Sequence, residues 1–200
     1  MGRSFLAEAL PSAEGKILAA VLATFQAAPH LLESILADTH RFDYAPGATR
    51  NIEDPFAVLK DALRPNFLIE DPYVLSGERN RKNAVAFLKQ MNSLSAGGLG
   101  AVTIRWKEDS PAYAGPRGYE PPYDQINSFK RLMVGAGVDC TKLQMFPLKS
   151  GRGGHFHDRQ VIVDFASNGT KRKFRWDLTS GIDNLMDVSK EAKVFRTQLA

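Results

Sequence analysis

Apolar and polar positions change their period along this chain, and each change marks an element. KILAAVLATF, Lys16 to Phe25, is a short apolar run whose length predicts a buried strand, while its alanines leave a helix open. PHLLESILADTHRF follows as a helix. Pro29 suits a first helical turn, and Leu31, Leu32, Ile35 and Leu36 recur at helical spacing. From Tyr44 to about Pro65 the pattern weakens, and YAPGATRN reads as an exposed loop. Phe67–Ile69 within NFLIEDPYVL predicts a strand, punctuated by Asp71-Pro72. ERNRKNAVAFLKQMNSL then predicts an amphipathic helix, stopped by Ala96-Gly97-Gly98.

LGAVTIRW predicts a further strand, and Lys107 to Pro122 a long loop dense in proline and glycine. A loop of that length is uncommon and often functional, although a surface excursion reads equally well. YDQINSFKRLMVGAG predicts a third helix and TKLQMFPL another strand. HFHDRQVIVDF and KRKFRWDL flank Ser167-Asn168-Gly169, and Asn-Gly between two such runs predicts a tight hairpin. A short helix at GIDNLMD and a last strand at AKVFRTQL complete the chain. Strands alternating with helices before a terminal hairpin imply an α/β fold, a mixed sheet flanked by helices, in a single domain over residues 1–200.

Composition adds limits. The one cysteine, Cys140, allows no internal disulfide, and a reducing, cytoplasmic setting is expected. No apolar run reaches the roughly 18 residues of a transmembrane helix. A formal charge of +4 is compatible with a phosphate-rich partner without requiring one.

The chemistry gathers at HFHDRQVIVDF. Residues two apart on a strand share a face, so His155, His157 and Arg159 stand together, with Val161 and Val163 continuing that face inward. Arginine offers a planar fork to phosphate oxygens, and histidine near neutral pH can attack phosphorus or carry a proton. A solvated strand end that satisfies local backbone is the plainer alternative. His-x-His also begins many metal sites. Neither His30 nor His40 lies in a ligand motif, and no histidine follows His157, so no metal or other cofactor is expected.

His157 to Asp164 reads H-x-R-x-x-x-x-D. It resembles the H-x-K-x-x-x-x-D motif of the phospholipase D-like superfamily, with arginine in place of lysine. The HDR strand, hairpin, tryptophan and Gly-Ile-Asp turn also resemble the C-terminal domain of some microtubule-interacting-and-trafficking proteins, a non-enzymatic branch. The resemblance implies a phospholipase D-like domain and a metal-independent phosphodiesterase or nuclease. His157 would be the nucleophile forming a phosphohistidine, Arg159 the phosphate clamp and Asp164 a partner of a histidine. Ser180 and Asn184 would add hydrogen bonds to the phosphate. For Asp164 a simple strand end, and for Asn184 ordinary helix-start polarity, are the alternatives.

Two departures matter. Only one motif is present, so catalysis implies a homodimer, or a partner subunit carrying the second motif. The Gly-Ser of the family stands reversed as Ser180-Gly181. A catalytically inactive phosphate-binding module, acting on nucleic acid or a phosphoinositide within a larger complex, is therefore the rival. Lys171, Arg172, Lys173 and Arg175 are candidate nucleic-acid contacts, or else a charged edge strand that discourages aggregation.

Overall fold

A computed structural model of the protein describes residues 39–108, 118–139, 141–148 and 159–199. They fall within the compact unit His40–Ala200, apart from Thr39. The expected strand at 16–25, the helix from Pro29 as far as residue 38, Cys140, His155 and His157 lie outside the described residues, as does most of the 107–122 loop.

Among the described residues seven strands form one sheet: β1 (Thr39–Tyr44), β2 (Leu63–Glu70), β3 (Val102–Lys107), β4 (Leu143–Leu148), β5 (Gln160–Ser167), β6 (Thr170–Leu178) and β7 (Ala192–Leu199). Their order is β1-β7-β6-β5-β2-β3-β4. β2, β3 and β4 run parallel, and β5, β6 and β7 follow as antiparallel neighbours starting from β2. Among the described residues four α-helices accompany them: α1 (Glu53–Phe56), α2 (Gly77–Leu94), α3 (Pro122–Gly135) and α4 (Gly181–Met186). The α/β class with a mixed sheet and flanking helices is thus as the sequence implied.

One element departs from expectation. The helix read through Phe42 is instead strand β1 from Thr39 onward. Arg41-Phe42-Asp43-Tyr44 alternates exposed and half-buried residues, and pairing with β7 settles the extended state.

Register puts the apolar residues of the central strands in rows across one face. Val102, Phe67, Val163 and Phe174 form one row; Ile104, Ile69, Val161 and Trp176 form the next; all are buried. Helix α2 supplies Phe87, Leu88 and Met91 to this core, and α3 supplies Phe129 and Met133. Phe56 of α1 stacks on Trp176 at 4.8 Å and meets Phe87 edge-on at 5.2 Å, so helices and sheet share one aromatic contact. Trp176 Nε1 donates to the Pro55 carbonyl at 2.7 Å, which leaves no polar atom of the ring unpaired in the core.

The hairpin between β5 and β6 turns at Asn168 (φ 51°) and Gly169 (φ 76°). Two left-handed residues in succession match the twist of the flanking strands, which is why Asn-Gly serves here.

Candidate functional site

The core-facing side of β2 carries Phe67 and Ile69, and the next residue in that phase is Asp71, just past the strand end. On β5 the same phase runs Phe165, Val163, Val161 and back to Arg159. Since Glu70 faces Gln160 in the ladder, the next positions out, Asp71 and Arg159, come side by side at one end of the sheet. β6 closes the third side, because the Leu178 amide donates to the Arg159 carbonyl at 2.7 Å. Three central strands therefore end together around an arginine and an aspartate.

Asp71 is 2% exposed. Its Oδ1 accepts from the Tyr73 amide at 2.9 Å, closing the Asp-Pro turn, and its Oδ2 accepts from the Ile182 amide at 3.2 Å, in the first turn of α4. Burial pushes its carboxyl above the usual aspartate range; the two amides, and then the charge of Arg159, oppose that shift. The guanidinium of Arg159 lies 5.2 Å from the centre of the Tyr73 ring, a cation–π contact on a half-exposed tyrosine. Among the described residues its guanidinium donates no hydrogen bond.

The β6–α4 turn completes the surround. Gly181 has φ +80°, and a Cβ there would stand 2.6 Å from Asp71 Oδ2, 2.9 Å from Asp183 Oδ1 and 3.3 Å from Arg159 Cδ. Only glycine permits this approach. Ser180 precedes it, half-buried, and its side chain caps no amide of the helix. Asn184 follows one turn later, its carbonyl accepting from Arg50 Nη1.

The structure thus brings Arg159 and Ser180 to one end of the sheet, with Asn184 one turn of α4 away. It does not bring Asp164 there. Asp164 lies on the opposite face of β5, five residues or about 17 Å along the strand. It accepts from Asn66 Nδ2 at 3.1 Å and faces Lys173 in the ladder. The basic run lies on β6, as read, but divides: Arg175 is paired with Asp177 at 3.0 Å, while Lys171, Arg172 and Lys173 are exposed.

Asp71, Tyr73, Gly181 and Asp183 were missed from sequence. An aspartate directly after an apolar strand, in the inward phase, was the available signal for Asp71. Among the described residues no three histidine, cysteine, aspartate or glutamate side chains cluster as a metal set. No helix among them is long and apolar enough to cross a membrane.

The described residues define an α/β protein with an arginine fork presented at the joined ends of three strands. No family model matches the chain, and no curated protein matches it in sequence. Solved structures align with it in fold. Yeast tyrosyl-DNA phosphodiesterase aligns at 9% identity over 79% of this chain and 31% of its own, with a TM-score of 0.40. Polyphosphate kinase from Porphyromonas gingivalis aligns at 11% identity over 88% of this chain and 26% of its own, with a TM-score of 0.42. This chain spans about a third or less of their length, and at these scores the likeness assigns it neither activity nor substrate.

Proposed function

We propose that this protein binds a phosphate ester at the Arg159 end of its sheet and cleaves it as a metal-independent phosphodiesterase of the phospholipase D-like type. The observation that carries the reading is the guanidinium of Arg159, which lies over the Tyr73 ring at the ends of three strands and donates no hydrogen bond among the described residues. Five donors in a rigid plane are suited to the non-bridging oxygens of a phosphodiester, where charge grows in the transition state. Ser180, with its hydroxyl uncommitted to the helix, and Asn184 would add donors from α4.

In this reading the imidazole of His157 attacks phosphorus, forming a P–N bond as the ester P–O bond breaks. A second histidine, supplied by the twin chain of a homodimer or by a partner subunit, protonates the departing alkoxide. Water then attacks the phosphohistidine, giving up its proton to that second histidine and restoring His157. Nucleic acid is the substrate class that the chain's basic charge favours, and a cytoplasmic setting follows from its cysteine usage.

The test is hydrolysis of labelled single- and double-stranded DNA and RNA with chelator present. We expect cleavage that disappears in His157→Ala and falls by roughly 100- to 1,000-fold in Arg159→Gln, the scale of one lost charge-stabilising donor. Cleavage that survives His157→Ala would overturn the catalytic assignment.

A second reading has its own observation. Asp164, the acid of the motif, stands on the face away from Arg159. A chain that kept the grip and lost the chemistry would show no cleavage, with salt-sensitive phosphate binding weakened by Arg159→Ala.

A further inference from the structure

At the far end of the sheet from Arg159, a groove of about 480 Å³ opens where β2, β5 and β6 meet their termini. It is lined by Arg64 and Asn66 of β2, Asp164 of β5, and Lys171, Arg172 and Lys173 of β6. Asn66, Asp164 and Lys173 form one cross-strand row. None of the four cations has an ion-pair partner among the described residues. One carboxylate against four cations leaves the groove strongly positive.

Arg64 is built into it at a cost. Its φ is 48°, a left-handed conformation that an arginine rarely adopts, and β2 is bulged between Leu63 and Asn66. A bulge re-aims a side chain, and backbone strain held in place by its surroundings marks functional positions more often than idle ones. Leucine, arginine and proline in that order give no local reason for the strain, since glycine would relieve it.

We propose that this groove binds the backbone of single-stranded nucleic acid, as a site separate from the Arg159 end. Lys171 and Lys173 lie two apart on one strand and share a face, so their charges repeat at about 6.8 Å. That repeat suits successive phosphates of an extended strand. Asp164 distinguishes a nucleic acid from an acidic peptide. Its carboxylate, already accepting from Asn66, repels a run of acidic side chains, whereas base amino groups can donate to its remaining lone pairs. Phe165, at 5% exposure, is packed on Phe174 and offers no platform for stacking. Binding is consequently electrostatic and indifferent to sequence.

The experiment measures fluorescence anisotropy of a short labelled single-stranded DNA of mixed sequence against salt, with the full chain. Lys171→Glu/Lys173→Glu is expected to weaken binding roughly tenfold or more, and Lys171→Gln/Lys173→Gln to lower the salt slope by about 0.7 per lost cation. Arg64→Gly is expected to weaken binding while raising the melting temperature, which no purely structural role for Arg64 predicts. Unchanged affinity in these variants overturns the proposal. So does equal competition by polyglutamate or by anionic vesicles, which would make the occupant an acidic protein or a membrane. The two sites fail separately, because diester hydrolysis and orthophosphate binding report on the Arg159 end and oligonucleotide binding by the lysine variants reports on the groove.

Discussion

Asp71 and Arg159 show how much of a site is decided by strand phase. Each is the next inward residue beyond an apolar run, and the ladder sets them abreast at a buried position. Because burial raises the carboxyl of Asp71 above its unfolded range, the folded state holds this proton more tightly than the unfolded chain does. Its contribution to stability is therefore full below about pH 3.9, the ordinary aspartate value, and is lost as pH rises through the folded pKa. Asp71→Asn abolishes that dependence. Urea unfolding across acid to neutral pH should show the wild type losing stability relative to the variant as pH rises. In Arg159→Gln the loss should extend to higher pH, since the opposing positive charge is gone. A difference between wild type and Asp71→Asn that stays flat with pH would show that the group does not titrate differently on folding. Arg159 was legible in sequence because its motif places it two residues from a histidine. Asp71 was not, because its meaning lies in contacts with Tyr73, Ile182 and Arg159 that are remote or wait on the turn of the chain.

At the level of elements, local signals were strong where chemistry and period agreed. Asn168-Gly169 between two alternating runs identified the hairpin, and the positive φ of both residues explains why. Gly169→Ala keeps the turn only at the cost of a left-handed alanine. A loss of about 1–2 kcal/mol in denaturant unfolding is expected. An unchanged midpoint would show that the turn relaxes to another type. Strand β1 was illegible for the opposite reason. The apolar spacing from Leu31 to Leu36 carries a helix forward, and nothing within Thr39–Tyr44 halts it. Its partner β7 lies some 150 residues later, so the extended state comes from a pairing that no local window contains. The surroundings of Asp164 were likewise out of reach of a local window. The motif groups it with Arg159, but five residues along a strand reverse the face, and its neighbours are Asn66 and Lys173 instead.

For the whole molecule, the single motif sets a stoichiometric condition on the proposed catalysis. One chain supplies one His157, and the reaction needs one histidine to attack and another to protonate. A two-fold axis that brings equivalent surfaces together supplies both at once, and each histidine can then take either part. Such a dimer is inactivated by one defective chain. If wild type and His157→Ala are mixed, denatured and refolded together, dimers form at random. Activity per total chain should then follow the square of the wild-type fraction, so an equal mixture retains about a quarter. A linear dependence, with about half retained, would mean that each chain works alone or pairs with a different subunit. In that case the second histidine is not His157 of a twin, and the homodimer is ruled out while the phosphate clamp at Arg159 stands.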